Sequence, residues 1–136
     1  MLSGDDLEAF GYYDMVDAYP EKDKSIQEMV EEFRVTMRQD KEPELQLNLM
    51  IEEWEEHAEA FHNGLSEAEL KELADLVYVI FGYANSMGWD LGEAIRRVHN
   101  NNMERCIWPD GTIKRREDGK IIKNPNTPKV NLEGLV

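Results

Sequence analysis

Apolar residues recur at steps of three and four along most of the chain, which is the spacing of one face of an α-helix. This pattern predicts helices over about residues 25–37, 44–61, 66–87 and 91–103. An aromatic-rich stretch over residues 5–19 is a candidate for a further helix. Because the connections between the helices are short, neighbouring helices should pack antiparallel. We therefore predict an all-α fold, an antiparallel bundle of four to five helices.

Capping sequences support the predicted helix starts. In each, a Ser or Asp precedes a Glu by three positions, so that side chains at the helix start can satisfy free backbone N–H groups. The pairs are Ser25 with Glu28, Ser66 with Glu69, and Asp90 with Glu93. The middle of the third predicted helix, residues 73–84, is apolar nearly all round, which is typical of a helix buried in a bundle.

The chain changes character after the last predicted helix. Two turn sequences, Pro109-Asp110-Gly111 and Glu117-Asp118-Gly119, flank the short segments 112–114 and 120–123. This arrangement predicts a small β-hairpin. The following residues, 124–128, contain two prolines and should be extended or loop-like.

The length of 136 residues fits a single domain over 1–136, with a helical core at about 24–103 and a hairpin and tail at 106–136. No stretch approaches the ~18 unbroken apolar residues of a membrane span. The start of the chain lacks the basic and apolar regions of a signal peptide. A single cysteine, Cys106, excludes an internal disulfide framework and fits a reducing compartment. We therefore expect a cytoplasmic protein without membrane contact.

Charge is distributed unevenly within the net value of -14. Residues 1–93 hold 6 Lys and Arg against 24 Asp and Glu, whereas residues 94–136 hold 9 against 5. The acidic balance argues against non-specific nucleic-acid binding, which requires a basic surface. An acidic body with a basic tail suits a protein that binds cations in one place and phosphates in another, but it also serves solubility alone. Composition does not decide between the two.

The second predicted helix carries the acidic run Glu52-Glu53-Trp54-Glu55-Glu56. Glu52, Glu53 and Glu56 lie within about a third of the helix circumference. A solvated acidic face is the simplest interpretation. Two leucines just upstream share this face, however, and five glutamates between positions 52 and 59 repel each other unless a cation offsets their charge.

The third predicted helix carries two isolated carboxylates. Glu72 and Asp75 are the only acids between positions 70 and 89, and their neighbours one turn on are apolar. Burying carboxylates in such surroundings is costly unless they are paired or bound to a metal. A short connection should fold this helix back on the previous one. Glu53 and Glu56 would then face Glu72 and Asp75, as in the carboxylate metal sites of helical bundles.

Oxygen ligands without nearby cysteines favour Mg²⁺ or Mn²⁺ over zinc. Mg²⁺ held by a few carboxylates usually completes its coordination with water and substrate phosphates. The spacing alone therefore leaves two interpretations open, a metal-dependent enzyme acting on phosphates and a structural acidic bundle.

A resemblance to a known family favours the first of these interpretations, the metal-dependent enzyme. The pattern Glu52-Glu53-x-x-Glu56, followed sixteen residues later by Glu72-x-x-Asp75, resembles the signature of the all-α NTP pyrophosphohydrolase superfamily. Residues 47–53 are similar to the family's lead-in to its acidic motif, and residues 73–79 to its second metal-binding helix. The segment from Val98 to Arg105 and the two Asp-Gly turns are similar to a MazG-like group common in phages. The resemblance covers roughly residues 26–132.

The resemblance implies a homodimeric or homotetrameric bundle that cleaves a nucleoside triphosphate between its α- and β-phosphates, giving a monophosphate and pyrophosphate. It implies that Glu53, Glu56, Glu72 and Asp75 hold two to three Mg²⁺ or Mn²⁺ ions per site. Glu52 would position or deprotonate the attacking water. A guanine nucleotide, dGTP or GTP, is the first candidate substrate, and a phage-encoded enzyme would act in the host cytoplasm. The alternatives are dUTP, dCTP, a damaged dNTP, phosphoribosyl-ATP, or a non-catalytic helical oligomer.

The same resemblance implies substrate contacts from the last helix and the tail, by Asn102, Arg105, Lys120 and Lys123. Arg105 departs from the lysine expected in that group, so the charge is kept but the geometry differs. The structural alternatives are a helix C-cap for Asn102 and a solvated hairpin for the two lysines.

Overall fold

A computed structural model describes residues 23–64 and 66–136. It contains four helices, α1 (Ile26–Thr36), α2 (Pro43–His62), α3 (Ser66–Met87) and α4 (Leu91–Cys106). The predicted all-α fold is confirmed, while the aromatic-rich stretch at 5–19 lies outside the described residues. None of the helices in this part of the chain has both the length and the apolar character needed to span a membrane.

Two of the helices, α1 and α4, begin where the capping sequences predict. The hydroxyl of Ser25 accepts a hydrogen bond from the backbone N–H of Glu28, and the Glu28 carboxylate accepts one from the N–H of Ser25, each at 3.1 Å. Asp90 immediately precedes α4, and its carboxylate likewise accepts a hydrogen bond from the backbone N–H of Glu93 at 3.1 Å. Gly88 follows α3 with a φ of 73°, a left-handed conformation that glycine adopts without strain.

The chain forms two compact units, one ending at Tyr83 and the other covering Ala84–Val136. The first unit contains α1, α2 and most of α3. Phe33 of α1 packs edge-on against Tyr78 of α3, with ring centroids 5.7 Å apart. Val30, which is buried, lies one turn before Phe33 in α1. It contacts α3 beside Gly82, which lies one turn after Tyr78. Residues later in α1 therefore contact residues earlier in α3, which means that the two helices are antiparallel.

Helices α2 and α3 are also antiparallel, with a defined register. Gln46 lies against Gly82. Gln46 is seven residues before Glu53 in α2, and Gly82 is seven residues after Asp75 in α3. The charge of Asp75 contributes to the raised pKa of Glu53, so these two carboxylates are close to each other. Seven residues are close to two helical turns, so each set of contacts repeats on one face of its helix. The acidic segments of α2 and α3 therefore face each other.

The second unit consists of the end of α3, α4 and the tail. The guanidinium of Arg97 donates to the backbone carbonyls of Asn131 and Glu133, at 3.3 and 2.9 Å. The side-chain amide of Asn101 donates to the carbonyl of Pro128 at 2.8 Å. Since both donors are on α4, these bonds fix the tail alongside that helix.

The predicted β-hairpin does not form. Within the described residues, the segments at 112–114 and 120–123 contribute no strand, and only one isolated antiparallel bridge joins Arg115 to Ile121. The segments are very short, and the apolar side chains of Ile113 and Ile122 are exposed. A two-stranded ribbon with no layer to pack against is marginal in water, which accounts for the failed prediction.

Candidate functional site

The antiparallel register of α2 and α3 brings acidic side chains together from both helices. We use the term carboxylate cluster for Glu53, Glu56, Glu72 and Asp75. One carboxylate oxygen from each of Glu53, Glu56 and Glu72 lies within 4.8 Å of the other two. Two oxygens, Oε2 of Glu53 and Oε2 of Glu72, are buried and have no hydrogen-bond partner.

Asp75 stands at the edge of this group beside a lysine. The ammonium of Lys71 lies 2.7 Å from Oδ2 of Asp75 and 3.5 Å from Oε1 of Glu72. Lys71 precedes Asp75 by four residues, the spacing at which helical side chains meet. The Lys71 side chain is 68% exposed, so this ion pair is solvated and its net stabilisation is small.

Burial, hydrogen bonding and repulsion within the cluster together change the protonation of its carboxylates. Burial raises the pKa of Glu53 from 4.5 to about 7, and the charges of Glu56 and Asp75 add to the rise. The pKa of Glu56 is also raised, first by a hydrogen bond with Glu72 that favours the protonated form and then by partial desolvation. Like charges held this close favour either a shared proton or a bound cation.

The residues present fit a divalent cation. All of the convergent donors are carboxylate oxygens, the ligand type that Mg²⁺ and Mn²⁺ prefer. The two buried oxygens without hydrogen bonds, on Glu53 and Glu72, are groups that a cation would satisfy. This fit supports the predicted metal site, and the assignment of individual ligands remains a proposal.

A histidine that the sequence pattern did not single out lies next to the cluster. Nε2 of His57 is 3.6 Å from Oε2 of Glu69, across the interface between α2 and α3. His57 is four residues after Glu53, and Glu69 is three residues before Glu72, so the pair lies about one turn beyond the carboxylates. The spacing along the chain gave no signal for this pair, because the contact depends on the register of the two packed helices.

The other predicted site residues occupy different places. Glu52 is exposed on α2, next to the cluster but not within its 4.8 Å group. Asn102 and Arg105 lie on α4 in the second unit, and Nε of Arg105 is buried without a hydrogen-bond partner. The residues Lys120 and Lys123 are exposed in the tail.

Comparison with known families supports the interpretation of this site. The family model for phosphoribosyl-ATP pyrophosphohydrolase matches residues 22–102, more than half of the chain. The chain belongs to this family. The phosphoribosyl-ATP pyrophosphohydrolase domain is part of the MazG-like all-α NTP pyrophosphohydrolase superfamily, as the sequence motif indicated. No curated protein matches the sequence.

The phosphoribosyl-ATP pyrophosphohydrolase match includes the whole carboxylate cluster, and it ends at Asn102. It supports nucleotide pyrophosphohydrolase activity in general terms. Proteins of this family are typically metal-dependent, in agreement with the cluster of glutamates between α2 and α3.

The raised pKa of Glu53 predicts how the stability of the metal-free protein depends on pH. Because the folded pKa of about 7 exceeds the ordinary 4.5, proton binding by Glu53 favours the folded state. This stabilisation is fully present below pH 4.5 and is lost as the pH rises through 7. The melting temperature of the metal-free protein should therefore fall between pH 5 and pH 8. Differential scanning calorimetry measures this decline.

Glu53→Gln should remove most of this decline, whereas Glu52→Gln, at the neighbouring exposed position, should retain it. Equal pH dependence in the wild type and in Glu53→Gln would show that the Glu53 carboxyl is not the group responsible.

Proposed function

We propose that this protein is a Mg²⁺- or Mn²⁺-dependent nucleoside triphosphate pyrophosphohydrolase. Water would attack the α-phosphorus of the substrate, breaking the bond to the oxygen that bridges the α- and β-phosphates. The products would be a nucleoside monophosphate and pyrophosphate. The observation that carries the proposal is the meeting of three carboxylates within 4.8 Å, in a chain that belongs to a pyrophosphohydrolase family.

In this proposal the carboxylate cluster holds two to three divalent ions. When bound, such ions polarise phosphate oxygens and lower the pKa of bound water. Glu53 and Glu72 supply the buried oxygens, and Glu56 supplies an oxygen from the more exposed side of α2. Asp75 would complete the set after exchanging its ion pair with Lys71, and this exchange is easy because the lysine is exposed.

Glu52 is the proposed base. It is exposed on α2 and precedes Glu53 by one residue, so it lies beside the ligands without being one of the three converging carboxylates. A carboxylate in that place can orient a water molecule and accept its proton. The proton would leave the water as its oxygen bonds to phosphorus.

We propose two candidate substrates. A guanine nucleotide, dGTP or GTP, is the first candidate, on the strength of the resemblance to the phage MazG-like group. The family match favours phosphoribosyl-ATP as the second candidate. Substrate contacts from Asn102, Arg105, Lys120 and Lys123 form part of the proposal, supported by their polar or basic character. The Nε of Arg105 is buried without a hydrogen-bond partner, and a substrate acceptor that reached it would satisfy this donor.

A panel assay tests the proposed activity. The protein is incubated with NTPs, dNTPs and phosphoribosyl-ATP in the presence of Mg²⁺ or Mn²⁺, and monophosphate and pyrophosphate are quantified. Glu53→Gln and Asp75→Asn should lower kcat/KM by at least about a hundredfold, because each removes a charged ligand. Glu55→Gln, at an exposed position in the same acidic run, is the matched control and should retain turnover.

Release of inorganic phosphate as the first product would refute cleavage between the α- and β-phosphates. Full activity in both cluster variants would refute the proposed metal site.

We further propose that the protein is a homo-oligomer, a dimer or a tetramer. One side of α2 presents an apolar stripe that faces away from the carboxylates and is exposed along its length. Its large members are Leu47, Ile51, Trp54 and Phe61, of which Trp54 is 59% and Phe61 62% exposed. These side chains offer on the order of 500 Å² of apolar surface, a large part of the roughly 800 Å² that each partner buries in a standard interface.

Ile51→Glu places a charge in the middle of this stripe and should dissociate the oligomer into monomers, as measured by size-exclusion chromatography with light scattering. Asn48→Glu adds the same charge at an exposed polar position of α2 and should leave the assembly intact. A wild-type protein that is monomeric at micromolar concentration would contradict the proposal, as would an oligomer that survives Ile51→Glu.

A further inference from the structure

A row of residues leads from the carboxylate cluster along one face of α3. Asp75, Tyr78 and Gly82 are spaced by three and four residues, so they share that face. Gln46 and Glu53, seven residues apart, likewise share one face of α2. The distance from the cluster to Gln46 and Gly82 is about 10 Å along the helix axes, since each residue adds 1.5 Å.

Gly82 provides the space that Gln46 occupies. A Cβ atom at position 82 would lie 2.5 Å from Oε1 of Gln46 and 3.8 Å from Cγ1 of Val30. Glycine inside a helix weakens it relative to alanine. A glycine inside α3 therefore has a cost for the helix, and it leaves room for the Gln46 amide next to the buried Val30.

An aromatic pair lies between the carboxylates and the glutamine. Phe33 and Tyr78 pack edge-on, and their side chains remain 42% and 38% exposed. Tyr78 follows Asp75 by three residues, which is less than one helical turn. Partly exposed aromatic side chains can stack on nucleobases, whatever the base.

We infer that Gln46, Phe33 and Tyr78 form the subsite for the nucleobase, and that Gln46 determines which base is preferred. The inference rests on the proposed function, since the carboxylate cluster must hold the phosphates. A nucleotide bound there would extend its sugar and base past Tyr78 towards Gln46. The aromatic pair contacts the face of the base, and the Gln46 amide, which both donates and accepts hydrogen bonds, contacts its polar edge.

Base preference in the intact enzyme tests the inference. Steady-state kcat and KM are measured for the four NTPs and the four dNTPs with wild type, Gln46→Leu and Asn48→Leu. In Gln46→Leu the ratio of kcat/KM between the preferred base and the others should fall about tenfold, mainly through a higher KM for the preferred nucleotide. Asn48, on an exposed part of α2, makes the matched control, and its variant should keep the wild-type ratios.

A second variant keeps the amide but moves it. Gly82→Ala forces the Gln46 side chain aside and should reduce the base preference in the same direction, with the protein still folded by its melting curve. An equal fall in kcat/KM for every base in Gln46→Leu would contradict the inference. A wild-type enzyme that treats all bases alike would contradict it too.

Binding of the product separates this inference from the proposed activity. Calorimetry measures the affinity of nucleoside monophosphates for wild type, Gln46→Leu and Asn48→Leu. A loss of about tenfold for one base, confined to Gln46→Leu, supports the subsite even if the protein hydrolyses no nucleotide, and the proposed activity alone would then fail. Hydrolysis that proceeds normally with no effect of Gln46→Leu on base preference or on binding would refute the subsite alone.

Discussion

The close approach of carboxylates across the interface of α2 and α3 is the constraint that the rest of the site has to accommodate. Glu53 and Glu56 on one helix meet Glu72 and Asp75 on the other because the antiparallel register aligns them. Without a cation, burial of the Glu53 carboxyl and the nearby charges of Glu56 and Asp75 raise the pKa of Glu53 to about 7. A cation bound by these carboxylates, as proposed above, would offset this cost.

The surrounding packing holds this register in place. Buried Val30 and the close approach of Gln46 to Gly82 fix α1 and α2 on α3 two turns away from the carboxylates. Phe33 and Tyr78 pack against each other between the carboxylates and the Gln46–Gly82 contact. The membership of the chain in the phosphoribosyl-ATP pyrophosphohydrolase family then connects the arrangement to phosphate chemistry. The same row of residues that aligns the helices also provides the proposed path from phosphates to base.

The sequence predicted the helices and part of the site for physical reasons that differ from residue to residue. Glu72 and Asp75 stood out as isolated acids in an apolar helix, whereas Glu53 needed the family spacing to be separated from its acidic neighbours. The pairing of His57 with Glu69 was missed because it depends on helix register, a property of packing rather than of spacing along the chain. The β-hairpin failed because turn sequences were present without a surface for the strands to cover.

Calorimetric titration with Mn²⁺ in buffers of different ionisation enthalpy tests the central claim most directly, because it measures both cation binding and proton release. At pH 7 the wild type should bind Mn²⁺ and release protons, since Glu53 must give up its proton to become a ligand. Apparent affinity should increase from pH 6 to pH 8, and Glu53→Gln should bind much more weakly. Absence of Mn²⁺ binding, or binding unchanged in Glu53→Gln, would contradict the claim that these carboxylates form a cation site.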